Sequence, residues 1–186
     1  MKNLITFTLL LFMFGTYAQN PWQWQNPMPQ GNGLFGGVAI DEQTYVAVGA
    51  VGTIIRTTDQ GATWTNCYTA VPAFLYAISF RTPDAGTSWG KILKSTDGGL
   101  TWKEKHSESG EQFEDIYFIN NQTGIAVSGH SKIYRTTDGG ETWSVQQVGY
   151  FRQYTHIWFI NPTTGWISGN NGFMLRTTDA GITWEE

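Results

Sequence analysis

Short runs of apolar residues alternate with polar, glycine-containing turns along most of the chain, and one unit of this pattern recurs. The unit reads apolar, apolar, basic, Thr or Ser, Thr, Asp, any residue, Gly, any residue, Thr, Trp. We call this unit the box. Its four copies span residues 54–64, 92–102, 133–143 and 174–184, so the repeat is about 41 residues long. A repeat of this length predicts a series of similar units that stack on one another.

Each repeat is predicted to contain four short strands. The first strand has the form apolar-x-aromatic, as in Ile116-Tyr117-Phe118. The third strand begins with the two apolar residues of the box. Because adjacent strand residues point to opposite faces, each unit needs cover on both faces of its sheet. Four-stranded units that cover one another are the blades of a β-propeller, so the sequence predicts an all-β β-propeller.

The box is predicted to form the turn between strands three and four. Its Asp can accept hydrogen bonds from backbone N–H groups of the turn, its Gly suits a positive φ angle, and its Trp can pack beside the turn. Residues that recur in every blade do not assemble into one site, so we interpret them as structural rather than catalytic or metal-binding. They are Asp59, Gly61, Trp64, Asp97, Gly99, Trp102, Asp138, Gly140, Trp143, Asp179, Gly181 and Trp184.

The boxes at residues 95–102 and 137–143 resemble the Asp-box, or bacterial neuraminidase (BNR), repeat. The longer unit at residues 48–59 is similar to the photosystem II stability/assembly factor-like propellers. The resemblance covers residues 22–186 and implies a β-propeller. It implies less about activity, because Asp-box propellers include sialidases, xyloglucan-cleaving hydrolases, sorting receptors and non-enzymatic assembly factors.

The N-terminus is predicted to be a secretory signal peptide, residues 1–18. Lys2 precedes an apolar run that ends near Phe14, and small residues lead up to Ala18. The alternative is a buried N-terminal strand. No later stretch is apolar and long enough to cross a bilayer. We therefore expect a secreted, periplasmic or cell-surface protein without a transmembrane segment after signal removal.

Composition narrows the choice of fold and partner. Aromatic residues make up 15% of the chain, charged residues only 14%, and there are 22 glycines. This favours neither a helical bundle nor a disordered chain. The net charge is −4 and basic residues do not cluster, so nucleic acid is not an expected partner. Cys67 is the only cysteine, so no internal disulfide can form.

Function is predicted at the end of the blades opposite the boxes. In an antiparallel blade, the two-to-three turns and the connections between blades lie at that end. Positions at which the blades differ are the informative ones for function, because the scaffold imposes the same structural requirement on every blade. They indicate a polar and aromatic binding surface, with ordinary solvated rim residues as the alternative. The candidate residues are Tyr76, Glu114, Asp115, Arg152 and His156.

An enzyme is the less favoured interpretation. Glu114 and Asp115 are adjacent, so on a strand they point apart and do not form a glycosidase pair. The three histidines show no metal-ligand spacing, and we expect no cofactor and no metal. The sequence favours a non-enzymatic scaffold that binds a protein or a glycan. The alternative is a fragment of an Asp-box glycoside hydrolase, either sialidase-like or xyloglucanase-like.

The number of blades stays open at this point. Four repeats fit residues 19–186 and could close a four-bladed ring. However, Trp24 lies 14 residues before Val38, just as box Trp102 lies 14 residues before Ile116. Trp24 therefore occupies the position of a fourth strand, where it would compete with Trp184. This favours part of a larger ring of about six to eight blades. Repeat two is also shortened around its two-to-three turn.

Overall fold

The computed structural model describes residues 31–69, 71–80, 84–149 and 152–186, and this part of the chain is all-β. Two single-turn 3-10 segments, Ala50–Gly52 and Asn170–Gly172, each connect two successive strands. The predicted signal peptide and Trp24 lie outside the described residues. The strands are β1 (Leu34–Ala39), β2 (Tyr45–Gly49), β3 (Ile54–Thr57), β4 (Thr65–Asn66), β5 (Tyr68–Thr69), β6 (Leu75–Phe80), β7 (Asp84–Ser95), β8 (Thr101–Phe118), β9 (Gly124–Ser128), β10 (Lys132–Thr136), β11 (Ser144–Gln147), β12 (Tyr154–Phe159), β13 (Gly165–Gly169) and β14 (Met174–Thr177).

Apart from β5, which pairs with β8 in parallel, the strands form antiparallel meanders, one for each repeat. These meanders confirm the predicted β-propeller blades. Blade 1 has the order β1-β2-β3-β4, and blade 4 has the order β12-β13-β14. A short bridge between Arg176 and Glu185 marks the fourth-strand position of blade 4. Blade 3 is formed by the second part of β8 with β9, β10 and β11. Blade 2 comprises β6, β7 and the first part of β8.

Blade 2 differs from the others because its sequence lacks residues for the two-to-three turn. β7 runs without a break through the positions of strands two and three, with a positive φ angle of 68° at Gly90. β8 likewise continues from the fourth strand of blade 2 into the first strand of blade 3. Blades 2 and 3 therefore share one continuous sheet. The shortened repeat predicted from the sequence is thus a fused blade.

Among the described residues, the buried apolar side chains form three clusters, each between neighbouring blades. The third cluster joins blades 3 and 4 and contains Ile125, Ile133, Ile157 and Phe159. In blades 1 to 3, the first box residue points towards the following blade, on the side that we call the forward face. In blades 2 to 4, the second box residue points towards the preceding blade, on the side that we call the backward face. Each inter-blade core therefore combines one forward and one backward face, as the adjacent apolar residues predict.

Close contacts between the first two strands fix the position of the core aromatics. A Cβ atom added at Gly124 would lie 2.7 Å from the Phe118 ring. Gly165 stands in the same relation to Phe159, also at 2.7 Å. The glycine at the start of the second strand therefore leaves space for the aromatic ring that ends the first strand.

Candidate functional site

At the box end of the blades, each Asp closes its own turn. In the box of blade 3, Asp138 Oδ1 accepts hydrogen bonds from Thr142 N at 2.9 Å and Thr136 Oγ1 at 2.7 Å, and Oδ2 accepts one from Thr142 Oγ1 at 2.5 Å. The buried Gly140 N–H donates to Thr136 Oγ1 at 2.9 Å. Equivalent bonds recur around Asp59, Asp97 and Asp179. The carboxylates are thus occupied by their own turns.

These bonds lower the pKa of every box carboxyl. A threonine hydroxyl that donates to the carboxylate is the largest cause in each turn. The pKa falls to about 2 for Asp59, Asp97 and Asp179, and Asp138 is shifted in the same direction. These groups are ionised at neutral pH and do not serve as proton donors in catalysis.

We expect the free energy of unfolding to fall as the pH drops through the acidic range. A box Asp has its ordinary pKa of 3.8 in the unfolded chain and a lower one in the folded chain, so the unfolded chain takes up protons first. The stabilisation is complete above the unfolded pKa and is lost as the pH falls towards about 2. This loss is measured as a fall in the urea concentration at the unfolding midpoint between about pH 5 and about pH 2.

The variant Asp138→Asn serves as the control, because it removes one of the titrating carboxyls. Its midpoint should depend less steeply on pH in the same range. Burial raises the pKa of Glu114 and Asp115, so protonation of these two carboxyls favours the folded chain as the pH falls. The four box carboxyls, which have the opposite effect, outnumber them. A midpoint that stayed constant or rose on acidification would contradict the assignment of the box carboxylates.

The basic residue of the box links each blade to the next one. Arg56 Nε of blade 1 donates to Gly98 O in the box of blade 2 at 3.0 Å. Arg135 Nε of blade 3 donates to Ala180 O in the box of blade 4 at 3.1 Å. Lys94 of blade 2 forms an ion pair with Glu141 in the box of blade 3 at 2.6 Å. In blades 1 to 3, the basic residue of the box therefore links neighbouring blades, and these residues do not form an anion-binding cluster.

Two open grooves lie at the opposite end of the described blades. The first, which we call the 3–4 groove, lies between blades 3 and 4 and has a volume of about 670 Å³. It is lined by Gly129, His130, Ser131, Gln147, Arg152, Gln153, Asn170 and Asn171. The second, the 2–3 groove, has a volume of about 650 Å³. It is lined by Gly90, Lys91, Ser107, Glu108, Ser109, Gly110, Glu111, Gln112 and His130. His130 separates the two grooves.

The structure divides the predicted binding residues among three places. Tyr76 stacks on Phe35 at 5.6 Å and on Phe74 at 6.4 Å, measured between ring centroids, and forms an aromatic patch on blades 1 and 2. Arg152 lines the 3–4 groove, and its guanidinium lies 4.3 Å from the Phe173 ring centroid. Its Nη2 atom is 3.4 Å from the Glu186 carboxylate. Tyr76 and Arg152 therefore do not share a site.

Glu114, Asp115 and His156 lie near one another at the boundary of blades 3 and 4. Asp115 is half-buried, and its two oxygens accept hydrogen bonds from Ile116 N at 2.8 Å and Ile157 N at 3.0 Å. Burial is the largest influence on both carboxyls and raises the pKa of Asp115 and of Glu114, while the charge of His156 opposes this shift. Asp115 therefore joins two blades through backbone contacts, whereas His156 is exposed.

The sequence did not predict the network of charged residues that lies between the two grooves. Lys132 Nζ donates to Glu108 at 2.6 Å and to Glu111 at 2.5 Å, and Tyr134 Oη donates to Glu108 at 2.7 Å. Glu111 Oε2 also lies 3.4 Å from His130 Nδ1. The one available signal was the pair of glutamates on either side of Gly110, in the connection where the repeats differ.

This network holds strands together and pairs both glutamates with Lys132, while Glu111 Oε2 is buried without a hydrogen-bond partner among the described residues. Glu108 and Glu111 share the Lys132 ammonium, which lowers the pKa of Glu108 and raises that of Lys132. Tyr134 is buried, and both its burial and its bond to Glu108 raise the pKa of its hydroxyl. A phenol in this state does not act as a nucleophile at neutral pH.

The described residues contain no group of three or more His, Cys, Asp or Glu side chains that could hold a metal ion. In the same part of the chain, no helix has the length and apolar character needed to cross a membrane. The 3–4 groove at the opposite end is lined by amide side chains and by the Arg152 guanidinium. Such a surface donates and accepts hydrogen bonds along an extended polar ligand.

Comparisons with known proteins point to propellers of two kinds. The family model described as "Photosynthesis system II assembly factor YCF48" matches residues 100–186. A comparison with curated proteins gives no match. The structure titled "YCF48 bound to D1 peptide" is 18% identical with a TM-score of 0.69, and the alignment covers 90% of this chain and 57% of that chain.

Two further structures show the same fold. YCF48 from Cyanidioschyzon merolae is 17% identical with a TM-score of 0.65, covering 81% of this chain and 52% of that chain. The GH74 enzyme of Niastella koreensis is 18% identical with a TM-score of 0.67, covering 82% of this chain and 30% of that chain. The chain spans just over half the length of the two YCF48 structures. It is built of β-propeller blades and is similar, over residues 100–186, to the photosystem II assembly factor YCF48.

Proposed function

We propose that the chain is an exported, non-enzymatic propeller scaffold that binds a protein partner at the end opposite the boxes. The observation that carries this proposal is the 3–4 groove, which two blades and their connection build together. The similar structure of YCF48 with a bound D1 peptide supports a peptide as the ligand class. The apolar run of the predicted signal peptide supports export.

The chemistry of the groove fits an extended peptide. Gln147, Gln153 and Asn170 supply amide groups, which can donate to and accept from a peptide backbone. Arg152 adds a cation that favours an acidic side chain or a terminal carboxylate of the partner. Amide groups also suit sugar hydroxyls, so a glycan is the alternative ligand.

The acidic residues support the absence of catalysis. Glu108 and Glu111 are paired with Lys132, and the oxygens of Asp115 accept backbone hydrogen bonds. A glycoside hydrolase needs two carboxyls that face the substrate, one as an acid and the other as a base or nucleophile. The box carboxylates lie at the other end of the blades and close their own turns.

The proposal is tested by presenting the purified chain to a peptide array and to a glycan array. We expect binding to peptides, and we expect Gln153→Ala to weaken binding about tenfold, which corresponds to about 1.4 kcal/mol. The matched control is Gln122→Ala, in an exposed turn at the box end, which should leave binding unchanged. Binding to glycans alone, or equal effects of both variants, would contradict a peptide groove.

Catalysis is tested with the same preparation. Incubation with xyloglucan and with a sialoside should leave both substrates intact. The release of sugar products that increases with protein concentration would overturn the non-enzymatic assignment.

A further inference from the structure

One buried carboxylate oxygen of the 2–3 groove has no hydrogen-bond donor of its own. The side chain of Glu111 is only 6% exposed, and its Oε1 atom accepts a hydrogen bond from Lys132 Nζ at 2.5 Å. Its Oε2 atom is buried and has no hydrogen-bond partner among the described residues. Because an unsatisfied buried carboxylate oxygen costs free energy, such atoms are rare in folded proteins. Glu111 Oε2 can therefore accept a hydrogen bond from a ligand.

The ligand side of this oxygen is the 2–3 groove, which Glu111 helps to line. His130 Nδ1 lies 3.4 Å from Oε2, beyond the range of about 2.7–3.2 Å for an ordinary N–H···O bond. The His130 side chain is 58% exposed, and exposed side chains change rotamer within nanoseconds. A Cβ atom added at the neighbouring Gly110 would meet no described atom within 4 Å. A donor in the groove can thus reach Oε2 when His130 turns away.

The charged side chains of the groove favour a cationic ligand. Lys132 pairs with both Glu108 and Glu111, and Lys91, which lines the groove, pairs with Glu104. These described side chains comprise three carboxylates and two ammonium groups, so their summed charge is −1. A positively charged ligand group balances this sum, whereas an anion is repelled.

The geometry favours an ammonium group over a guanidinium group. A guanidinium pairs best with both oxygens of one carboxylate. Lys132 already occupies Oε1 of Glu111, so Oε2 alone is left for a ligand. A single oxygen suits the compact point charge of an ammonium, which carries three N–H donors. The hydroxyl groups of Ser107 and Ser109, which line the same groove, are further acceptors for it.

We propose that the 2–3 groove binds a lysine side chain of the protein partner, whose ammonium group donates to Glu111 Oε2. This inference rests on the proposed function for the kind of partner and adds the chemistry that the partner must carry. His130 lines both grooves, so they adjoin at this residue. A peptide that occupies both therefore carries a lysine for Glu111 and an acidic group for Arg152.

The experiment uses Nα-acetyl-lysine methylamide as a probe, so that it does not depend on finding a peptide ligand. The probe is titrated into the isotope-labelled chain, and the backbone amide shifts are followed by nuclear magnetic resonance. We expect saturable shifts in residues 107–112 and 130, weaker binding of the arginine analogue, and no binding of the neutral norleucine analogue. Glu111→Gln should weaken binding of the lysine probe at least about tenfold, because it removes the charged acceptor.

The matched control is Glu141→Gln, which should leave binding unchanged. Like Glu111, Glu141 is a carboxylate that pairs with lysine, but it lies in a box turn at the other end of the blades. His130→Ala should instead tighten binding of the lysine probe, because it uncovers Oε2. A residue that only maintains the fold would not have this effect. Circular dichroism and thermal melting establish that each variant is folded.

Three results would overturn the lysine site. They are the absence of saturable shifts with the lysine probe, equal binding of the norleucine analogue, and a lysine affinity that Glu111→Gln leaves unchanged. Weaker or unchanged binding in His130→Ala would contradict the arrangement of His130 over Oε2. If the lysine probe binds as expected but the array shows no peptide ligand, the lysine site stands and the proposed function fails. Peptide binding on the array without lysine binding would overturn the lysine site alone.

Discussion

Replacing Phe118 with alanine should lower the free energy of unfolding by about 3–5 kcal/mol, the range for truncating a large buried aromatic residue. Phe118 is fully buried in the cluster that joins blades 2 and 3. Its ring meets Trp143 edge-on, with 6.1 Å between centroids, and fills the space that Gly124 leaves open. Truncation leaves a cavity that a glycine cannot fill.

Urea denaturation followed by circular dichroism measures this effect. The control is Leu100→Ala, which shortens an exposed apolar residue and should change stability by less than about 0.5 kcal/mol. Equal losses for the two variants would show that the cluster between blades 2 and 3 does not hold the fold together.

Thr136→Val should lower the free energy of unfolding by about 1–3 kcal/mol. The Thr136 hydroxyl accepts a hydrogen bond from the buried Gly140 N–H at 2.9 Å and donates one to Asp138 at 2.7 Å. Valine keeps the shape but offers no acceptor, so the buried N–H loses its partner. Leaving a buried donor unsatisfied costs more than the net gain from forming an ordinary hydrogen bond.

Thr137→Val is the matched control, because Thr137 is the adjacent box threonine and is exposed. Its substitution should be nearly neutral in the same urea titration. A stability loss at Thr137 equal to that at Thr136 would mean that threonine matters here through strand propensity and not through the turn.

The repeat made the fold predictable because each blade must satisfy the same physical demands. Adjacent apolar residues such as Ile133 and Tyr134 required cover on both faces, and the inter-blade clusters supply it. In blades 1 and 3, the box spans the turn between the third and the fourth strand. The fusion of β7 was less visible, because a missing turn shows in the sequence only as a shorter repeat.

The candidate site was less predictable because it depends on contacts between blades. Sequence differences singled out Asp115 and Arg152, but periodicity does not show which side chains meet. In the structure, backbone amides occupy Asp115, while Arg152 lines the 3–4 groove. The ion pairs of Lys132 with Glu108 and Glu111 also escaped prediction, since these residues lie more than 20 positions apart.

The central claim is that the two ends of the blades have different roles, the box end in folding and the opposite end in binding. Hydrogen exchange measured by mass spectrometry, with and without a peptide selected from the array, tests it most directly. We expect slower exchange in residues 129–131 and 170–172, which border the 3–4 groove, and unchanged exchange in the box turns. Slower exchange in the box turns alone would contradict it.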